Sequence, residues 1–185
     1  MIPRRRLGRT GMEVSVLGFG GSEIGYERAS ARTVARLLEG ALDAGLNVID
    51  TAECYETSEE LLGEALGPRR RGVHLFTKCG HGAGWSRADW RPAALLKSVE
   101  RSLRRLRTDY VDLIQLHSCS LRELQKGDVI EALERARERG WARRTTTASP
   151  AAAARPLTMA STIPRARWLP RAGADVVGDA AMIRT

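Results

Sequence analysis

The stretch LNVIDTAECYETSEELLG, Leu46 to Gly63, decides the fold. A short apolar run ends on a carboxylate, Asp50, and a phenol, Tyr55, follows five residues later. The run has the length and composition of a buried strand, and the text after it has a helical period. Thr57 and Glu60 fit a capping box, and Gly67-Pro68 closes the helix. The segment is therefore a βα unit. Before it lies SARTVARLLEGALDAG, with Ser30 as N-cap, an apolar face of Val34, Leu37, Leu38, Ala41 and Leu42, and a stop at Gly45.

The same alternation extends in both directions. MEVSVLGFGG (Met12 to Gly21) is a strand ending in glycines, and RRRLGRTG ahead of it suggests a hairpin turn. Downstream, GVHLFTK is a third strand, followed by the loop CGHGAGWSRADWR. Pro92 opens a helix whose inner face is Leu95, Leu96, Val99, Leu103 and Leu106. DYVDLIQLH is a fourth strand; Asp128 with Glu131 caps a last helix, which Gly140 ends. Such alternation means a parallel sheet covered by helices. Two architectures compete, an open doubly wound sheet and a (β/α)8 barrel. The dinucleotide fingerprint of the first needs Gly-x-Gly-x-x-Gly directly between strand and helix. GFGGSEIG matches it poorly and the helix starts too late, so the expectation is α/β: a partial (β/α)8 TIM barrel, a hairpin plus about four βα units.

Composition excludes several classes. Three cysteines, Cys54, Cys79 and Cys119, are widely spaced and odd in number, against a disulfide framework. The paired ligand spacing of zinc motifs is absent, so no metal is expected. The basic N-terminus lacks an apolar signal region, and no run approaches the roughly 18 apolar residues of a membrane span. No membrane partner and a cytoplasmic location are expected. The net charge is +8. The arginines lie in separate places (Arg4 to Arg6, Arg69 to Arg71, Arg101 to Arg107), without the interleaved aromatics that stack on bases. They read as solvated faces, with no nucleic acid expected.

The text changes after Arg143. From Arg144 to Thr185 there is no lysine or glutamate, and 11 of these residues are alanine. The reading is two regions: 1–143, half a barrel, and 144–185, an irregular low-complexity tail. A shifted reading frame in a GC-rich gene would produce such a break.

Polar residues stand at the strand ends: Asp50 with Tyr55 beyond it, Lys78 and His117. In a barrel these ends share the rim where active sites are built. Each alone has an ordinary reading: a helix cap, a packed surface aromatic, a solvated strand end, a satisfied structural histidine. Together they form a proton donor for a carbonyl oxygen. A nearby ammonium lowers a phenol's pKa, a carboxylate holds the lysine, and a histidine orients the substrate oxygen. No serine or cysteine nucleophile with a paired base is evident, so a hydride from a bound cofactor is the expected attacking group. His74 reads as structural and His81 as an exposed loop residue.

GFGG, IDTAECYETSEELLGEAL, FTK and RSLRRLRTDYVDLIQLH, with the hairpin RRRLGRTGMEV, resemble the aldo-keto reductase superfamily over about residues 4 to 143. The resemblance implies a (β/α)8 barrel reducing aldehydes and ketones with NADPH. It implies Tyr55 as proton donor, Lys78 tuning it, Asp50 paired with the lysine, and His117 orienting the carbonyl. Gly21, Ser22 and Asp50 would lie toward the nicotinamide, and His117 and Trp85 toward the substrate, with the Gly80–Trp90 loop on one side of the pocket. A complete barrel needs about 250 residues. Half a barrel would leave the first and fourth strands without partners on their outer edges. Three outcomes are expected, in this order: instability or aggregation, edge-to-edge association of two copies, and a marginal half-barrel with weak cofactor affinity. The alternative function is accordingly a catalytically inactive fragment that binds itself or a partner.

Overall fold

A computed structural model describes residues 2–148 and 182–184. The strands are β1 (Arg4–Arg6), β2 (Glu13–Ser15), β3 (Leu17–Gly20), β4 (Val48–Asp50), β5 (His74–Cys79), β6 (Val111–His117), β7 (Ala142–Ala148) and β8 (Met182–Arg184). The helices are α1 (Ser22–Tyr26), α2 (Ala31–Asp43), α3 (Ser58–Leu66), α4 (Pro92–Arg105), α5 (Leu121–Lys126) and α6 (Asp128–Glu138). β1 and β2 form the antiparallel hairpin. The other strands form one sheet in the order β7-β6-β5-β4-β3-β8. Every pair from β3 to β7 is parallel, and β8 lies antiparallel to β3. Helices lie between successive parallel strands, the α/β arrangement of part of a TIM barrel.

The strand period of two sorts side chains onto two faces. Ile49, Leu75, Ile114 and Leu116 pack with Val34 and Leu38 of α2, Leu62 and Leu66 of α3, Leu95, Val99 and Leu103 of α4, and Leu133 of α6. On the other face Val48, Phe76 and Leu113 form a smaller core with Val14, Leu7 and Met12. The hairpin thus plugs the interior at the end away from Asp50. Asn47 fastens it: its Oδ1 accepts from Ser15 N at 2.7 Å, its N donates to Ser15 Oγ at 3.0 Å, and its Nδ2 donates to the Glu13 carbonyl at 2.9 Å.

Several local expectations are corrected. Met12–Gly21 is not one strand but two, β2 in the hairpin and β3 in the sheet. The Thr57–Glu60 capping box does not form. Thr57 makes no side-chain cap bond, and Glu60 instead meets Arg105 Nε at 2.8 Å. Asp128 does not cap α6; Gly127 stands at that position with φ +88°. α1 and α5, of five and six residues, were not expected.

The strand edges differ too. β6, read as lacking an outer neighbour, pairs with β7 from Val111↔Ala142 to His117↔Ala148. Arg143 anchors β7, its guanidinium 4.3 Å from the Tyr110 ring centroid and 3.5 Å from Asp112 Oδ1. The break read at Arg143 thus falls inside a strand. β3 likewise has a neighbour, β8. Of the expected tail, residues 149–181 and 185 lie outside the described residues. Among the described residues no helix is long and apolar enough to cross a membrane.

Candidate functional site

Sheet register brings the polar residues to one level. Gly20 pairs with Asp50, Asp50 with Phe76, and Lys78 with Gln115. Asp50, Lys78, Gln115 and His117 therefore stand toward the C-terminal ends of β4, β5 and β6, on the face opposite the helices. Lys78 Nζ lies 2.5 Å from Asp50 Oδ2 and donates to the Thr51 carbonyl at 2.9 Å. The lysine is buried and its carboxylate partner only partly so. Its ammonium is 5.1 Å from the centroid of the Tyr55 ring. The Tyr55 and His117 rings meet edge to face at 5.6 Å. The structure thus gathers Asp50, Tyr55, Lys78 and His117.

Gly21 and Ser22 lie at the next loop. Gly21 N donates to the Asp50 carbonyl at 2.8 Å. A Cβ there would sit 2.7 Å from Ser58 Oγ and 3.1 Å from Thr51 Oγ1, so a larger residue would have to displace those two side chains. Ser22 Oγ donates to Glu23 Oε1 at 3.2 Å. Trp85 is 55% exposed, stacks on His81 at 4.7 Å and meets the His117 ring edge-on at 4.8 Å, so it walls one side of the mouth. Tyr26 flanks Tyr55 on the other, with centroids 5.7 Å apart.

The electrostatics correct one expectation. The Tyr55 phenol is not lowered; burial first and the Asp50 carboxylate second push its pKa up to about 12. Lys78 faces Asp50 and the Thr51 carbonyl at hydrogen-bond distance and the phenol only across the ring, so its field at the oxygen is offset. His117 moves the other way, to about 4, through burial first and then the Lys78 and His81 charges. At neutral pH the site therefore presents a protonated phenol and an uncharged imidazole.

Four residues lie at the site that the sequence does not assign to it: Gln115 and Glu53 receive no role there, and Cys54 and His81 read only as an unpaired cysteine and an exposed loop residue. Gln115 Nε2 donates to Asp50 Oδ1 at 3.0 Å. It sits two residues before His117 in an apolar strand, and that spacing was the available signal. Cys54 Sγ lies 3.3 Å from His117 Nδ1. His81 is buried, not exposed; its ring nitrogens lie 2.8 Å from the Trp85 and His117 carbonyls. Glu53 is buried and accepts from His81 N at 2.7 Å, from Arg101 Nη2 at 2.6 Å and from Ser98 Oγ. Nothing local marks it, because its partners lie far along the chain. Among the described residues no group of three or more His, Cys, Asp or Glu is placed to hold a metal.

Comparisons with known proteins agree with this architecture. Residues 16–154 match the model of the Aldo/keto reductase family. An uncharacterized oxidoreductase of Bacillus subtilis, YqkF, is 34% identical, the match covering 74% of this chain and 45% of that protein. The L-galactose dehydrogenase of Arabidopsis thaliana is 32% identical, over 77% of this chain and 47% of that one. The holo form of an aldo-keto reductase from Bacillus halodurans superposes with a TM-score of 0.73 at 33% identity, over 81% of this chain and 51% of that one. The chain spans about half the length of the curated relatives it matches.

Proposed function

The chain belongs to the aldo/keto reductase family, and we propose that its site serves the reduction of an aldehyde or ketone to an alcohol. The observation that carries this reading is the Lys78–Asp50 pair, 2.5 Å apart, beneath the Tyr55 ring with His117 across from it. The set offers proton donors and a fixed dipole but no nucleophile. Burial and the neighbouring carboxylate hold the Cys54 thiol protonated at about 11. A donor set of this chemistry fits a nicotinamide cofactor, NADPH by family, which when bound supplies the hydride.

Gly21, Ser22 and Asp50 would lie along the nicotinamide side. The substrate oxygen would sit between Tyr55 and His117, with Trp85 over the carbon chain. Neutral His117 donates a hydrogen bond that orients the carbonyl without competing for the proton. Tyr55 then protonates the developing alkoxide. A phenol at about 12 is still acid enough, since an alkoxide is about as basic as hydroxide and therefore a stronger base than the phenolate it leaves behind. Lys78 and Asp50 set the field under the ring, and Gln115 holds the second carboxylate oxygen.

Titrating NADPH into the chain while following nicotinamide fluorescence tests the reading. Saturable binding, with aldehyde-dependent oxidation that Tyr55→Phe abolishes, is the expected result. No binding at high micromolar cofactor sinks it for this chain.

A second reading is a non-catalytic fragment that associates through its sheet edges. It is favoured by the open order β7-β6-β5-β4-β3-β8 among the described residues, together with the half-length match to relatives. A concentration-dependent dimer that binds no NADPH would favour it.

A further inference from the structure

Cys54 is one residue before Tyr55, and its Sγ lies 3.3 Å from Nδ1 of His117. Among the described residues no other hydrogen bond reaches that ring; His81 Nε2, at 2.8 Å, approaches the His117 carbonyl instead. The neighbouring Tyr55 and Trp85 rings meet the imidazole edge to face and fix its plane. The tautomer of His117 is therefore decided at one contact. A thiol is a weak donor and sulfur a weak acceptor, so the partner's protonation state decides which way the bond runs. We propose that Cys54 is a positioning residue that donates its S–H to Nδ1, holding His117 in the Nε2–H tautomer and leaving Nε2–H as the ring's free donor.

Two facts agree with that direction. Burial, with Glu53 next in effect, keeps Cys54 a thiol. His117 is an uncharged imidazole with one lone pair to offer, its pKa lowered to about 4. The pair is thus a neutral thiol against a neutral ring, not the thiolate–imidazolium pair of a cysteine nucleophile. The tautomer stands on the contact alone; its use, presenting an N–H to a carbonyl oxygen, rests on the reductase reading.

The test is long-range ¹⁵N–¹H correlation spectroscopy near neutral pH on the full chain labelled at histidine. The signals of His117 are assigned by their loss in His117→Asn. The expected wild-type spectrum has Nδ1 as the unprotonated nitrogen, far downfield, and Nε2 as the protonated one. Cys54→Ser retains a donor and keeps this pattern. Cys54→Val removes it, and the two nitrogen shifts move toward each other as the tautomers mix. A wild-type ring protonated at Nδ1, or a Cys54→Val ring with wild-type shifts, overturns the proposal. Neither outcome bears on NADPH binding, which the fluorescence titration reads separately.

Discussion

Lys78 Nζ stands 2.5 Å from Asp50 Oδ2 but 5.1 Å from the centroid of the Tyr55 ring. A charge attracted to a carboxylate at hydrogen-bond distance is largely cancelled at a phenol farther off, and the carboxylate disfavours a second negative charge beside it. Hence burial and Asp50 dominate at Tyr55, and the phenol stays protonated up to about 12.

Replacing Asp50 by Asn therefore lowers the Tyr55 pKa. The substitution removes a charge that raises it and leaves the Lys78 ammonium uncompensated beneath the ring. The chain has three tyrosines, so the difference between Asp50→Asn and Asp50→Asn/Tyr55→Phe isolates this phenol. Phenolate absorbance against pH is the measurement. An unchanged or higher midpoint would show that Asp50 does not set the field at Tyr55.

Acid should destabilise the chain through His117. Its folded pKa is about 4, below the usual 6.5, so the folded state resists the proton that the unfolded state accepts. The neutral ring's contribution is complete above pH 6.5 and is lost as pH falls toward 4. By linkage it is at most on the order of 3 kcal/mol. Denaturant unfolding at several pH values, in wild type and His117→Asn, reads it. The variant should show the shallower decline between those limits; equal declines would place the acid sensitivity elsewhere.

Much of the fold was legible because it rests on local signals. Ser30 precedes an amphipathic helix and does cap it, its side chain accepting from Thr33 N. Pro92 does open α4. Asp50, Lys78 and His117 were legible because each stands at or beside the end of a strand, and Tyr55 because it follows in the loop beyond Asp50. What escaped was decided at long range. Glu60 belongs to Arg105 rather than to a capping box. Glu53 belongs to α4 and to the loop at His81. β7, ARRTTTA, has no apolar alternation; its threonines suit a pleated strand, but its place comes from pairing with β6. α1 and α5 are too short to show a period.

Two glycines in neighbouring helices should respond oppositely to alanine. Gly40 in α2 is exposed, with nothing within 4 Å of an added Cβ. Gly40→Ala should stabilise by roughly 0.5–1 kcal/mol, the helix-propensity difference. Gly63 in α3 is buried, and a Cβ there would run into the backbone of Arg105 and Leu106 at the end of α4. Gly63→Ala should cost about 1–3 kcal/mol by forcing the helices apart. Thermal or denaturant unfolding of both variants decides; a neutral Gly63→Ala would mean that α3 and α4 are less closely set than described.

The last expectation concerns the loop that carries Trp85 to the site. Glu53 is 4% exposed and takes three donors: His81 N, Ser98 Oγ and Arg101 Nη2. It therefore joins the loop after β4 to the loop after β5 and to α4. A neutral amide of the same shape cannot accept all three, and its NH2 would face a donor. Glu53→Gln should cost about 1–3 kcal/mol for the unsatisfied groups. The loss should concentrate where the clamp acts, so amide exchange at His81 and in residues 82–90 should accelerate more than exchange in β6. Replacing Glu53 by Leu and Arg101 by Met together should recover part of the stability, because an apolar pair removes the stranded charge. It should not recover the slow exchange at His81, whose N–H would still lack its acceptor. Exchange at His81 unchanged in Glu53→Gln would separate the loop from the clamp, and Trp85 would then owe its position to its contacts with His81 and His117.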